Sequence, residues 1–267
     1  MTAGETTDRT GTTVHHGSRA ERYRAGMIQL VSKQKTAKGA PAYSRFVNRR
    51  LGRHLAAMAW ALDRTPNQVT ALSGASTGTA ILLVALVRPS AALAVVITLA
   101  LVVGYALDSA DGQLARLRGG GSAAGEWLDH VVDAVKTGAL HAAVLVSLYR
   151  FTDLGSAWLL VPLLYGVVAT SWFFAMILTD MLRRAHVVAT GQPPAPVQTD
   201  APLLRSLLAL PTDYGLLCLV FLLLAAPRVF TTVYGLMLAG TSVVFLAALH
   251  SWFRELSRHD TPRENRP

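Results

Sequence analysis

Four aspartates grouped in one stretch are the residues of this sequence best suited to chemistry. Asp108 and Asp111 are three residues apart and Asp129 and Asp133 are four apart, so each pair lies on one face of its own helix. If the two helices face each other, four carboxylates converge, and these anions repel one another unless cations lie among them. Oxygen-only ligands suit Mg²⁺, Mn²⁺ or Ca²⁺ better than zinc. Two such ions can hold the attacking and leaving oxygens of a phosphoryl displacement.

The residues beside these aspartates suit an approaching phosphate. Gly112 and Ala115 leave one helix face bare, and Arg116 offers a fork of donors that matches a phosphate group. Three glycines at positions 119–121 permit a tight turn between the two helices. Aspartates at a membrane surface can simply cap or solvate helix ends. That interpretation explains one or two of them, whereas carboxylates at membrane depth are costly and indicate function.

Apolar blocks determine how these residues are positioned. The chain has 267 residues, of which 52% are hydrophobic and 15% charged, and the apolar residues are gathered into stretches suited to membrane helices. The sequence predicts an all-α integral membrane protein with six transmembrane helices. The blocks are Val69–Val87, Ala91–Leu107, Trp127–Tyr149, Ser156–Leu182, Tyr214–Ala226 and Val229–Trp252. The fifth block is short for a span, so we expect it to include Ala209–Asp213 or to be tilted.

The distribution of basic residues predicts the orientation. Of 25 Lys and Arg, 12 precede residue 67, whereas only Arg88, Arg150 and Arg228 lie on the opposite set of loops. Because basic residues favour cytoplasmic loops, we expect a multi-pass protein of the cytoplasmic membrane with both termini and the aspartates on the cytoplasmic side. The net charge of +9 then reflects this orientation and favours contact with anionic membrane lipids. No nucleic-acid partner is expected.

The segment before the first span has its own pattern. Residues Tyr43–Leu62 alternate apolar and basic residues at helical spacing, which predicts an amphipathic helix in the membrane interface. A soluble helix packed on a neighbouring loop is the alternative. Pro66 favours the start of the first span, and Asn67 and Thr70 project from its first turn. The predicted organisation is a polar, disordered cytoplasmic tail at 1–41, one membrane domain at 42–255 and a polar cytoplasmic tail at 256–267.

The aspartate stretch resembles a known signature. Its pattern is Asp108-x-x-Asp111-Gly112-x-x-Ala115-Arg116, eight residues, Gly125, three residues, Asp129, three residues, Asp133. This order is similar to that of the CDP-alcohol phosphotransferases (class I, integral membrane), and all eight defining positions match. The resemblance covers residues 42–255. It implies transfer of a substituted phosphate from a CDP-linked donor, commonly CDP-diacylglycerol, to the hydroxyl of an acceptor alcohol, with release of CMP.

The resemblance also implies roles for individual residues. Two divalent cations, Mg²⁺ or Mn²⁺, would be held by Asp108, Asp111, Asp129 and Asp133. Asp133 would also act as the general base that takes the proton of the acceptor. The cytidine and phosphate site would comprise Gly112, Ala115 and Arg116, with Asn67 and Thr70 as weaker candidates. A homodimer is expected from the same resemblance.

The acceptor is a small hydroxyl compound whose identity the sequence leaves open. Lys136 follows Asp133 by one turn, and it would meet an anionic group such as the phosphate of inositol phosphate or glycerol phosphate. It would otherwise pair with an aspartate or extend to the interface. Arg183, Arg184 and Arg205 are candidates for the same anion pocket or ordinary topology determinants.

Two other functions remain open from the sequence. The donor and acceptor roles can be reversed, with a soluble CDP-amino alcohol as donor and diacylglycerol as acceptor. A divalent-cation transporter is the alternative from a different class. It predicts acidic residues deep within several spans, whereas these aspartates lie at one end of two helices.

Overall fold

The computed structural model describes residues 18–32, 41–191 and 210–259, and within these ranges it contains helices and no strand. We number the α-helices in chain order. They are α1 Arg19–Ser32, α2 Arg49–Ala61, α3 Pro66–Leu86, α4 Ala91–Leu117, α5 Ala123–Phe151, α6 Leu160–Thr190, α7 Tyr214–Val220 and α8 Pro227–His259. Shorter helical turns lie at Ser44–Asn48, Ser156–Leu159, Leu210–Thr212 and Phe221–Leu223.

Five of these helices are long and apolar enough to cross a membrane. They are α3, α4, α5, α6 with the turn before it, and α8. The fifth apolar block forms a shorter helix at Tyr214–Leu223. This confirms an all-α integral membrane fold.

One of the two expectations for the short fifth block was that its helix includes residues 209–213. For residues 210–213, which the structure describes, this expectation is wrong. Leu210–Thr212 is a separate 3-10 turn, and Asp213 begins a new helix because its Oδ1 accepts a hydrogen bond from the backbone N–H of Gly215 at 3.0 Å. Ala209 lies outside the described residues.

Local capping explains where the site-bearing helices begin. Thr65 and Gln68 form a reciprocal capping box at the start of α3, with Pro66 as its first residue. Ser90 caps α4, and Ser122 caps α5 by accepting a hydrogen bond from the backbone N–H of Gly125 at 3.0 Å. Helix α4 continues beyond its apolar block, so Asp108 and Asp111 lie on it. Asp129 and Asp133 lie on α5.

The core forms around α4, which packs against α3 along one face. An added Cβ at Gly104 would overlap Thr77, so glycine permits the close approach of the two helices. Ser73 donates to the carbonyl oxygen of Gly104 at 2.9 Å, and Ser76 donates to that of Ala100 at 2.8 Å. These hydrogen bonds hold α3 in register with the half of α4 that leads to the aspartates.

The amino-terminal region differs from its prediction. Residues 1–41 were expected to form a disordered tail, but Arg19–Ser32 is a helix, and Leu30 is fully buried against α2 and α4. Arg22 pairs with Asp63 at the end of α2, and the Tyr23 hydroxyl lies 2.7 Å from His54 Nδ1. The prediction failed because the apolar residues of α1 are too few to indicate a helix without the surface that they cover. The rest of the amino-terminal tail lies outside the described residues.

The amphipathic character predicted for Tyr43–Leu62 is present in α2. One side of the segment packs on α1 and α4, and the other leaves Phe46, Leu51, Met58 and Leu62 more than 40% exposed. This exposed apolar side suits contact with lipid. The predicted carboxyl-terminal tail at 256–267 begins inside α8, which continues to His259.

Candidate active site

Three of the four aspartates converge. Asp108 comes from α4, and Asp129 and Asp133 come from the facing side of α5; one carboxylate oxygen from each lies within 4.8 Å of the others. The turn between the two helices contains Gly119 and Gly120, whose φ angles of 94° and 139° favour glycine. This reversal of the chain runs α5 alongside α3, and the Asp129 and Asp133 side chains reach across to Asp108 of α4. We call Asp108, Asp129 and Asp133 the carboxylate cluster.

Asp111 does not join the carboxylate cluster, contrary to the expected convergence of four carboxylates. Its side chain is buried, with Oδ2 accepting a hydrogen bond from the Thr70 hydroxyl of α3 at 2.6 Å. Its Oδ1 accepts from the backbone N–H of Gly112 at 2.5 Å. Since an α-helix turns by about 100° per residue, Asp111 points about 60° away from Asp108. That rotation directs Asp111 towards α3 and Asp108 towards α5.

Lys136 supplies a positive charge to the carboxylate cluster. Its Nζ lies 2.6 Å from Asp108 Oδ1 and 2.6 Å from Asp133 Oδ1, and it donates to Ser73 Oγ at 3.3 Å. The structure therefore has the ion pairing that the sequence offered as one alternative for Lys136. Three helices meet at this ammonium group, because Ser73 is on α3 and Asp108 is on α4. An acceptor role for Lys136 stays a prediction.

The residues predicted to bind nucleotide and phosphate lie beside the carboxylate cluster. Arg116 extends back along α4, and its Nη1 lies 3.6 Å from where a Cβ of Gly112 would be. A Cβ at Gly121 would lie 3.9 Å from the Ala115 methyl, which places Ala115 next to the turn between α4 and α5. Arg116 Nε is buried, and no atom of the described chain accepts a hydrogen bond from it. A buried donor without an acceptor is costly, and an anion would relieve that cost.

Asn67 and Thr70 occupy different environments in the first turns of α3. Asn67 is exposed, and its Oδ1 lies 3.0 Å from where a Cβ of Gly125 would be. Gly125 therefore lets the start of α5 approach Asn67 closely. Thr70 is buried, and its hydroxyl donates to the Asp111 carboxylate.

The arginines proposed for the acceptor pocket form ion pairs between helices. Arg183 donates two hydrogen bonds to Glu255 of α8, from Nε at 2.7 Å and from Nη2 at 2.6 Å. Arg184 Nη1 lies 2.6 Å from Glu126 of α5, and its Nη2 lies 2.7 Å from Asp180 on its own helix. These contacts tie α6 to its neighbours at the end that carries the aspartates. Arg205 lies outside the described residues.

An aromatic group beside the carboxylate cluster was not found by sequence reasoning. The Tyr105 ring stacks on Tyr43 at 6.4 Å and meets the Tyr214 ring edge-on at 5.0 Å. Tyr214 lies close enough to Asp108 and Asp133 for electrostatic interaction with both. The aromatic group therefore borders the carboxylate cluster. Tyrosines at the edges of apolar blocks are common in membrane proteins, so no sequence signal marked these three.

Asp213 anchors this aromatic group. Its Oδ2 accepts a hydrogen bond from the backbone N–H of Tyr43 at 2.7 Å, while its Oδ1 caps α7 next to Tyr214. Burial raises the pKa of the Asp213 carboxyl, and the backbone donors around it act in the opposite direction. Asp213 thus joins the segment before α2 to the start of α7.

The carboxylate cluster and Arg116 are suited to binding a metal ion and a phosphate group. Carboxylate oxygens from two helices are suited to a divalent cation, and an arginine lies over a bare helix face one turn away. The site lies at one end of a bundle of membrane-spanning helices. Fold and site together are those of the class of membrane proteins suited to metal-assisted chemistry on phosphate esters.

The comparisons with known proteins agree with this class. The family model of the CDP-alcohol phosphatidyltransferases matches residues 64–251, more than half of the chain. The chain belongs to the CDP-alcohol phosphatidyltransferase family, whose members are membrane transferases of phospholipid synthesis.

The fold is similar to that of phosphatidylinositol phosphate synthase PgsA1 of Mycobacterium tuberculosis, crystallised with manganese and citrate. The two chains share 16% sequence identity, with a TM-score of 0.47, over 78% of this chain and 89% of that one. No curated protein matches the chain in sequence.

Proposed function

We propose that this protein transfers a phosphatidyl group from CDP-diacylglycerol to the hydroxyl of a small acceptor alcohol and releases CMP. The observation that carries the proposal is the convergence of Asp108, Asp129 and Asp133, three signature aspartates from two helices, on one spot. Membership of the family supports the reaction class. The donor, the acceptor and the roles of individual residues are our proposals.

The carboxylates fit a divalent cation. Three oxygens within 4.8 Å of one another can belong to the ligand shell of one Mg²⁺ or Mn²⁺ ion. We assign Asp111 to the same metal site as a ligand of a second ion, held in its orientation by Thr70. When bound, two such ions would neutralise the negative charge that develops on the diphosphate as CMP leaves.

Asp133 is the proposed general base. An alcohol is a poor nucleophile, and a positioned carboxylate that accepts its proton contributes about 10²–10⁴-fold to the rate. Asp133 lies one turn further along α5 than Asp129, and the Lys136 ammonium at 2.6 Å holds its carboxylate. The proton of the acceptor hydroxyl would move to the Asp133 carboxylate while the oxygen attacks phosphorus.

A phosphorylated acceptor is favoured by the basic residues near the carboxylate cluster. Lys136 is part of the cluster itself, whereas Arg183 and Arg184 engage carboxylates of neighbouring helices. Lys136 is therefore the strongest candidate to contact the phosphate of inositol phosphate or glycerol phosphate. Each of these three residues would have to exchange a present partner for the acceptor phosphate, since the Lys136 ammonium group already contacts Asp108, Asp133 and Ser73.

The proposed setting is the cytoplasmic membrane, with both termini and the carboxylate cluster on the cytoplasmic side. The basic residues that precede α3 support this orientation. The lipid tails of the donor would stay in the bilayer while its cytidine head reaches the water-facing site. A homodimer is proposed on the family resemblance.

The test is CMP release by the purified full-length protein in detergent with Mg²⁺ and CDP-diacylglycerol. Inositol 1-phosphate, glycerol 3-phosphate, inositol and serine are supplied singly. We expect release with one acceptor, and loss of release in Asp133→Asn. Asp180→Asn is the matched control, because Asp180 pairs with Arg184 on α6 and lies outside the carboxylate cluster. CMP release only from a CDP-amino alcohol with diacylglycerol would contradict the proposed donor, and no release with any pair would contradict the activity.

A further inference from the structure

The contact between α2 and α4 is unusually close. A Cβ at Gly52 of α2 would lie 2.6 Å from Ser109 Oγ and 2.8 Å from Gln113 Nε2, so no larger residue fits without displacing α4 side chains. Gln113 Nε2 donates to the backbone carbonyl of Arg49 at 3.3 Å. One residue earlier, Asn48 Nδ2 donates to the carbonyl oxygen of Tyr105 at 3.2 Å. These contacts determine where the first turn of α2 lies along α4.

This packing brings Arg49 near Arg116. Arg49 precedes Gly52 by one turn, and Arg116 follows Gln113 by one turn, so both lie along the same contact. The two guanidinium groups are close enough to interact electrostatically, and their like charges repel. Arg116 also feels the attraction of Asp111 on the opposite side. An anion bound between the two guanidinium groups would weaken their mutual repulsion.

The position of Arg116 indicates where that anion lies. The guanidinium group extends over Gly112, one turn of α4 beyond Asp108, and its Nε has no acceptor within the described residues. A ligand bound there would contact Arg116 and lie one turn of α4 from Asp108. Because Gly112 has no side chain, the Arg116 guanidinium group can lie close to the helix there.

We propose that Arg49 of α2 is a second arginine of the donor site, which binds the diphosphate of the CDP-linked substrate together with Arg116. This inference rests on the proposed function and extends it to a helix that contributes no residue to the sequence signature. Two guanidinium groups match the two phosphates of a diphosphate, and each can donate a pair of hydrogen bonds. The amphipathic helix thereby takes part in substrate binding as well as in membrane contact.

The test measures binding of CDP to the purified full-length protein in detergent with Mg²⁺. The variants are Arg49→Gln, Arg49→Lys and the matched control Arg50→Gln, which removes the same charge from an exposed position of the same helix. A lost charge-assisted hydrogen bond predicts about tenfold weaker CDP binding for Arg49→Gln. We expect Arg49→Lys to be intermediate and Arg50→Gln to match the wild-type protein. CMP, with one phosphate, should lose less affinity than CDP.

The outcomes separate this inference from the function on which it rests. CDP binding that is unchanged in Arg49→Gln, or a selective rise in the KM of the acceptor, would overturn the donor role of Arg49 and leave the reaction intact. Weakened CDP binding without CMP release by the wild-type protein would support the inference and contradict the transfer. Failure of the wild-type protein to bind CDP would overturn both. Elution volume and melting temperature verify that each variant is folded.

Discussion

Thr70→Val is the substitution that most directly tests how the site is organised. Valine and threonine are both branched at Cβ and similar in shape, so the change replaces one buried hydroxyl by a methyl group. That hydroxyl donates to Asp111 Oδ2 at 2.6 Å, and both residues are at most 5% exposed. Without it, Asp111 keeps the backbone N–H of Gly112 at 2.5 Å as its hydrogen-bond donor. We therefore expect the Asp111 carboxylate to be held at Oδ1 alone, so that the position of Oδ2 is no longer fixed.

The magnitude follows from the type of hydrogen bond. A hydrogen bond to a charged group contributes about 1.5–3 kcal/mol. Each 1.36 kcal/mol corresponds to about a factor of ten in rate. Because the Gly112 N–H still holds one oxygen, we expect the lower end of this range to apply. The value of kcat/KM should fall about tenfold, and a higher Mg²⁺ concentration should be needed for half-maximal rate.

The assay is the initial rate of CMP release, measured against Mg²⁺ and donor concentration. Thr79→Val is the matched control, since Thr79 is an exposed residue of the same helix whose hydroxyl donates only to the backbone carbonyl of Ala75, at 2.8 Å. Thr70 likewise lies 3.1 Å from the carbonyl oxygen of Pro66, so both variants lose one such contact. Thr70→Ser retains the hydroxyl and should restore most of the rate.

Either of two results would refute the proposed role of Thr70. If folded Thr70→Val has the wild-type rate and the wild-type Mg²⁺ dependence, Thr70 does not position Asp111 for the reaction. If Thr70→Val and Thr79→Val are impaired equally, the effect comes from helix α3 and not from the carboxylate.

Two further predictions concern stability and the acceptor pocket. Gly52→Ala should lower the melting temperature of the protein in detergent because the new methyl group overlaps Ser109 and Gln113, an overpacking cost of about 1–3 kcal/mol. The control Gly155→Ala places a methyl group in open space and should leave the melting temperature unchanged. Equal melting temperatures of the two variants would contradict the close contact at Gly52. Arg183→Gln and Glu255→Gln should each lower stability by about 1 kcal/mol, and the double variant by less than their sum, because the two side chains form one partly exposed pair. A rise in the acceptor KM of Arg183→Gln that persists in the double variant would instead assign Arg183 to the acceptor.

The sequence determined the features that repeat along a single helix. Hydropathy indicated the membrane-spanning blocks, because a helix in lipid must be apolar over most of its length. Spacing placed Asp129 and Asp133 on one face of α5, because positions four residues apart share a helix face. The signature residues and the turn at the glycines needed no tertiary information.

Only the tertiary structure decided which residues meet across helices. The rotation of α4 directs Asp111 to Thr70, away from the carboxylate cluster, and the approach of α5 pairs Lys136 with Asp108. Helix α1 was unexpected because its apolar residues become informative only against the surface of α2 that buries them.

The same limit applies to the longest-range contacts. Asp213 bonds the backbone of Tyr43, 170 residues earlier in the chain, and Arg183 pairs with Glu255 across 72 residues. Periodicity along one helix indicates which face is buried, but the partner on that face depends on how neighbouring helices are rotated and how closely they pack. Glycines such as Gly52 and Gly104 set that closeness here, and their effect is visible only once both helices are in place.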